Sequence, residues 1–235
     1  MQRISSIYSD YLLVTGKQAT ATGLSSMLEG ELSHDQITRM LKRFRDGDNM
    51  LWRAVKPSVR RIEGVDGILV FDDTVEEKAW MEENEIISWH FDHTKGKSVK
   101  GLNQLTALYY REDEQSQGIS IPVSYELVRK TQEKWDAKRG TFKRVSAETK
   151  NEMMMRMLRG CLSKELKFKY IVADKWYASS DTMMKINHDL RKYFVFPLKS
   201  NQKIARSLED KQNARYQSLS ELVVAQVGTY LLWRH

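Results

Sequence analysis

The chain of 235 residues is short of the features that mark several large classes of protein. It has one cysteine, Cys161, which excludes an internal disulfide and any cysteine-rich zinc site and suits a reducing cytoplasm. No apolar run approaches the roughly 20 residues that span a bilayer, so no membrane partner is expected. The opening "MQRISSIYSDYLLVTGKQ" lacks a long apolar core and a small-residue cleavage site, and no signal peptide is expected. Internal repeats and low-complexity tracts are absent. Acidic residues are also in deficit: the formal net charge is +7. What is left is an ordinary globular balance, 41% hydrophobic and 29% charged, enough for one sizeable core or a core plus a small helical domain.

A positive surplus can serve solubility alone, but its distribution favours a polyanionic partner. "RKTQEKWDAKRGTFKR", Arg129 to Arg144, sets seven basic residues against two acidic ones and interleaves Trp135 and Phe142. "TKGKSVKG" adds Lys95, Lys97 and Lys100 beside two glycines. Read as basic loops, these stretches can follow phosphates while a ring packs on sugar or base, with Lys138, Arg139, Lys143 and Arg144 as the candidate contacts.

Residues 1–65 read as helical. In "SHDQITRMLKRF", Ser33 and Gln36 have capping-box spacing, and Ile37, Met40, Leu41 and Phe44 fall on one helical face. The preceding "ATATGLSSMLEG" predicts a shorter helix with Leu24, Met27 and Leu28 inward and Gly30 as its stop. Two short helices joined tightly resemble a helix-turn-helix, whose second helix would show His34, Gln36, Thr38, Arg39, Lys42 and Arg43 outward; plain helical packing gives the same pattern.

From Gly67 the texture turns to strands. "GILVF" is a continuous apolar run, followed by "IISWHF" (86–91), "GLNQLTALYY" (101–110) and "GISIPVSYELV" (118–128); Pro122 marks the last as an edge or bulged strand. Thr149 and Glu152 cap a helix whose methionine-rich face, with Met154, Met157, Leu158, Cys161 and Leu162, reads as core rather than as a thioether site. "KYIVADKWYASSD" repeats the opening pattern, a short strand (170–173) ending on Asp174, and a helix (181–190) and the strand "YFVFPL" follow. The tail "SLSELVVAQVGTYLLWRH" reads as the start of another strand region. Together these predict a mixed α/β sheet with helices packed on it, after a small helical domain.

Two buried strands thus each run into an aspartate, Asp73 and Asp174. On neighbouring strands both carboxylates leave the same sheet edge, where open α/β sheets gather ligands. They would repel unless a cation lies between them, and hard oxygens with waters suit Mg²⁺. The competing reading makes Asp73 the start of an Asx-turn and Asp174 a simple cap. "WHFDH" puts His90 and Asp92 on one strand face and His93 on the other, which argues against a zinc site, and His188 reads as a surface residue.

The elements "FDDT", "HTKGKSVKGLNQLTALYY" with "IPVSYELV", and "VADKWYASSD" resemble those of insertion-sequence transposases of the DDE superfamily, over roughly residues 20 to 200. The resemblance implies a ribonuclease-H-like core with Asp73 and Asp174 as catalytic, metal-binding acids and Asp72 as an accessory. It also implies Mg²⁺ or Mn²⁺ as cofactor, double-stranded DNA (element ends and target) as partner, a homodimer in a full-length form, and a place in the bacterial cytoplasm near the nucleoid. Trp176 and Tyr177 would then contact DNA beside the cleaved strand. The implied division is 1–65 helical, 66–200 core, and 201–235 the start of a β-rich insertion.

One part of the family pattern is missing. Its third acid is a glutamate in Y-x2-R-x3-E-x6-K or a relative, and no such pattern occurs; Glu209 and Glu221 are poor substitutes. Family members are longer, so the chain is expected to stop inside the insertion and to be a weak or inactive enzyme. The alternative is a non-catalytic DNA-binding fragment that occupies the element's ends. An unrelated nuclease or a transcription factor would not require both aspartate-terminated strands.

Overall fold

A computed structural model describes residues 2–16, 18–43, 47–112, 117–137 and 140–221. The chain divides into two compact units, 1–51 and 52–235.

In the first unit α1 (Gln2–Val14), α2 (Ala21–Met27) and α3 (His34–Leu41) bury Tyr11, Leu24, Ile37 and Met40 together. Thr20 caps α2, and Ser33 and Gln36 form the expected reciprocal capping box on α3. Glu29 and Gly30 both take positive φ and end the α2 turn. Met27 departs from its expected inward position and is 61% exposed. At 3.6 residues per turn, a three-residue step swings it about 60° off the Leu24 row, and Leu28 packs there instead. Phe44 lies outside the described residues.

Along the chain there follow α4 (Gly47–Ile62), β1 (Ile68–Glu77), β2 (Ser88–Asp92), β3 (Lys97–Glu112) and β4 (Gly118–Leu127). Next come β5 (Gln132–Asp136), β6 (Thr141–Val145), α5 (Lys150–Ser163) and β7 (Tyr170–Ala173). A 3₁₀ turn at 175–177, α6 (Ser180–Met184) with a π-helical continuation at 185–189, and β8 (Tyr193–Val195) complete the core. Trp52 and Val59 of α4 join the core of the second unit.

The main sheet has the order β2-β3-β1-β7-β8, with β4 also on β3. β1 is antiparallel to β3 and parallel to β7, and β7 is parallel to β8. β4, β3, β1, β7 and β8 therefore form the five-strand order of a ribonuclease-H-like sheet. β4 is an edge strand with a register shift at Pro122, as a residue without an N–H requires. The apolar stripe of α5, with Met154, Leu158 and Cys161 fully buried, shares one core with Leu69, Phe71, Leu105, Ala107 and Ile171 of the strands.

Two elements differ from their sequence expectations. β1 does not end at the aspartates but runs four residues on to Glu77, because the longer β3 pairs with it throughout, from Ile68 opposite Tyr110 to Glu77 opposite Gly101. The stretch expected as a basic loop folds as the β5–β6 hairpin. In the tail, β9 (Lys203–Ile204), α7 (Leu208–Gln212) and β10 (Gln217–Ser218) are short, and residues 222–235 lie outside the described residues.

Candidate active site

The parallel β1–β7 ladder runs from Ile68 opposite Tyr170 to Phe71 opposite Ala173. Asp174, still in extended conformation, comes next, so the register sets it level with Asp72, while Asp73 is level with Lys175. Side chains alternate faces along a strand. Leu69 and Phe71 are buried and Asp73 follows on that α5-facing side, which leaves Asp72 on the other. Asp72 and Asp174 are both exposed. Asp72 Oδ1 accepts from the Asp73 amide at 2.9 Å, and Asp174 Oδ1 accepts from the Lys175 amide at 2.6 Å. Neither forms an ion pair with a described residue, and each keeps a second oxygen for a ligand.

Asp73 is placed quite differently. Its Oδ2 accepts from Lys150 Nζ at 2.5 Å and from Asn103 Nδ2 at 3.2 Å, and its Oδ1 accepts from the Tyr177 hydroxyl at 3.0 Å. Burial acts to raise its pKa, but Lys150, Asn103 and Tyr177 together hold it below the ordinary carboxylate value. Lys150 opens α5 directly after the Thr149 cap, whose side chain accepts from the Glu152 amide. Tyr177 closes the 3₁₀ turn that Asp174 begins: its amide donates to the Asp174 carbonyl. Burial, then the field of Asp73 with smaller parts from Asp72 and Asp174, pushes the Tyr177 hydroxyl well above its usual range. Tyr177 is fully buried, which corrects its expected place as a DNA contact; it is a partner of Asp73.

His90, on β2, is buried with Nε2 lacking a hydrogen-bond partner. Its pKa is lowered to about 4, first by burial and then by Lys130 and Lys150. Among the described residues no three histidine, cysteine or acidic side chains are grouped so that they could hold a metal ion.

The remaining candidates are scattered. In the first unit Gln36, Arg39, Lys42 and Arg43 are exposed, although Gln36 spends its carbonyl on the α3 cap. Lys95 is bound to Glu77 at 2.5 Å, Lys97 is exposed and Lys100 half-buried. Lys143 pairs with Asp136 at 3.1 Å and Arg144 stands 4.0 Å from Glu83; Lys138 and Arg139 lie outside the described residues. Trp176 is partly exposed, stacked on His93 with ring centroids 4.3 Å apart, and Lys199 Nζ lies 4.5 Å from its ring centroid. Sequence reasoning missed Lys150 and Asn103. Lys150 did carry a signal: a cation in the first turn of a helix opposes the helix dipole and calls for a nearby anion.

On this ribonuclease-H-like sheet the two exposed acids, Asp72 and Asp174, thus stand level just past the end of the parallel β1–β7 ladder. The chain matches the model of the family described as DDE superfamily endonuclease over residues 1–219, and it belongs to that family. Members of this superfamily generally use divalent metal ions. A comparison with curated proteins found none that matches. Among solved structures, the chain is similar to the Mos1 transposase paired-end complex with left transposon end. The identity is 10% and the TM-score 0.26, over 81% of this chain and 57% of that one. The chain thus spans a little over half of that protein's length. No helix among the described residues is long and apolar enough to cross a membrane.

Proposed function

We propose that the chain is a transposase that cuts and joins DNA at the ends of an insertion sequence, with Asp72 and Asp174 as its metal-holding acids. The observation that supports this most is the β1–β7 register, which sets these two exposed carboxylates, neither in an ion pair with a described residue, level just past the end of that ladder in a chain of the DDE endonuclease family. Asp73, which the sequence favoured, is committed to Lys150, Asn103 and Tyr177 and acts as a positioning residue.

The donor set fits a hard divalent ion, Mg²⁺ or Mn²⁺, since each acid is exposed and keeps a carboxylate oxygen free. Such an ion, when bound, supplies Lewis-acid activation of water or a 3′-hydroxyl and stabilises the leaving oxygen. The chain's own residues do the positioning. The Asp73 cluster ties β1 to α5 and to the turn after β7, so that Asp72 and Asp174 keep their relative place. In this reading residues 1–65 are a DNA-binding helical region in which Arg39, Lys42 and Arg43 meet phosphates or bases, 66–200 the core, and 201–235 the start of a β-rich insertion. Trp176 lies beside the cleaved strand.

Only two of the family's three acids are recognisable in the sequence, so an ion would stay largely hydrated and be held loosely. A loss of a few kcal/mol at the transition state is a rate lower by roughly 10²–10³. Nicking of duplex DNA carrying the element's ends is therefore expected to be slow, dependent on Mg²⁺ or Mn²⁺, and abolished by Asp174→Ala. DNA binding with no nicking above that of the Asp174→Ala variant would favour the non-catalytic fragment. Robust nicking that survives Asp174→Ala would overturn the proposed site.

A further inference from the structure

The β5–β6 hairpin is inserted between β4 and α5 and forms a separate two-stranded sheet. An isolated two-stranded ribbon is marginal in water, and this one leaves two features open to a partner. Trp135 stands opposite Phe142, with the rings edge-on at 5.2 Å and 54% and 64% exposed. On the other face Lys134 stands directly opposite Lys143, a like-charge cross-strand pair of the kind that destabilises a ribbon. Asp136 takes Lys143, but Lys134 has no ion-pair partner among the described residues. An exposed ring pair on one face and a lysine pair on the other suit an anionic partner that also has flat apolar surfaces.

Both roots of the ribbon reach the Asp73 cluster. On the β4 side, the Val128 amide donates to the carbonyl of Asn103, whose side chain donates to Asp73. On the β6 side, the chain enters the cap of α5, where Lys150 holds Asp73. A partner held by the ribbon is thereby tied to the elements that position the acids.

We propose that the β5–β6 ribbon is a docking element for duplex DNA, standing on edge in the major groove. Its lysine face meets the phosphates of one wall, and Trp135 and Phe142 pack on the sugars and base edges of the other. The dimensions agree: a strand layer with its side chains is about 10 Å thick, and the major groove is about 12 Å wide. The inference rests on DNA being the substrate, and it adds which element grips the duplex beside the acids and how.

The test uses the full chain without metal, a fluorescent duplex of mixed sequence, and anisotropy titrations between 50 and 200 mM salt. Lys134→Gln/Lys143→Gln should lower the slope of log affinity against log salt by about 2, since each phosphate contact contributes about 0.9. Trp135→Ala/Phe142→Ala should weaken binding by roughly 10-fold or more and leave the slope unchanged. Because the lysine variant keeps both rings, a hairpin unravelled by the ring variant does not remove the test. Wild-type affinity and slope in both variants overturn the proposal. So does an equal loss for single-stranded and duplex DNA, or a ring variant that changes only the oligomeric state in light scattering, which would make a second copy the occupant. If the unmodified chain nicks DNA while both variants bind normally, only the ribbon inference falls. If the unmodified chain binds no duplex, the transposase reading falls with it.

Discussion

Replacing Lys150 with methionine should destabilise the fold by about 2–3 kcal/mol at pH 7. The substitution keeps the length of the stem and removes only the cation, leaving Asp73 half-buried beside Tyr177 and Asn103 with a charge it can no longer neutralise. Breaking a fully buried ion pair costs about 3–5 kcal/mol; here Lys150 is 35% exposed and Asp73 17%, and solvent screens part of that. Adding Asp73→Asn should recover much of the loss, because the stranded charge is then gone, and the two changes should couple strongly in a double-mutant cycle. The folded-state pKa of Asp73 lies below its ordinary value, so its contribution is present above that value and fades as pH falls through the lowered one. Urea unfolding of the four proteins gives the coupling. Additive effects would mean that Lys150 and Asp73 do not hold each other.

Acid should weaken the protein well before its carboxylates titrate. His90 is buried neutral, with Lys130, Lys150 and Asp73 as the charged groups that act on it, and its pKa falls from 6.5 to about 4. The unfolded chain takes up a proton below pH 6.5 and the folded chain does not until near pH 4. Stability is therefore unaffected above pH 6.5 and falls between pH 6.5 and 4, by on the order of 2–3 kcal/mol. His90→Leu should flatten that limb of the profile of urea midpoint against pH. An unchanged acid limb in the variant would place the titrating group elsewhere.

The sequence announced local features well and long-range ones poorly. Both capping boxes, Ser33 with Gln36 and Thr149 with Glu152, were legible because cap and partner are three residues apart. β7 and the edge character of β4 followed from a short apolar run and one proline. β1 was cut short because "DDTVEE" is polar by composition, and only the pairing with β3 shows that it continues as a strand. The basic stretch read as a loop because lysine and arginine mask the alternation that puts Trp135 and Phe142 on one ribbon face. The choice between Asp72 and Asp73 is a one-residue question of strand face. Composition is silent on it, and which of the two stands level with Asp174 is set by a ladder whose partner lies about 100 residues away. The partners of Asp73 were hidden for the same reason, standing 30, 77 and 104 residues along the chain.

Binding of Mn²⁺, followed by loss of the free-ion signal in electron paramagnetic resonance, separates the two aspartates most directly. The unmodified chain and Asp73→Asn, which keeps an acceptor for Lys150, should both deplete free Mn²⁺. Asp72→Ala and Asp174→Ala should each remove that depletion, because each deletes one of the two carboxylates that stand level past the β1–β7 ladder. Undiminished Mn²⁺ binding by Asp72→Ala, with binding lost in Asp73→Asn, would contradict the assignment and return the metal to the inner face of the sheet.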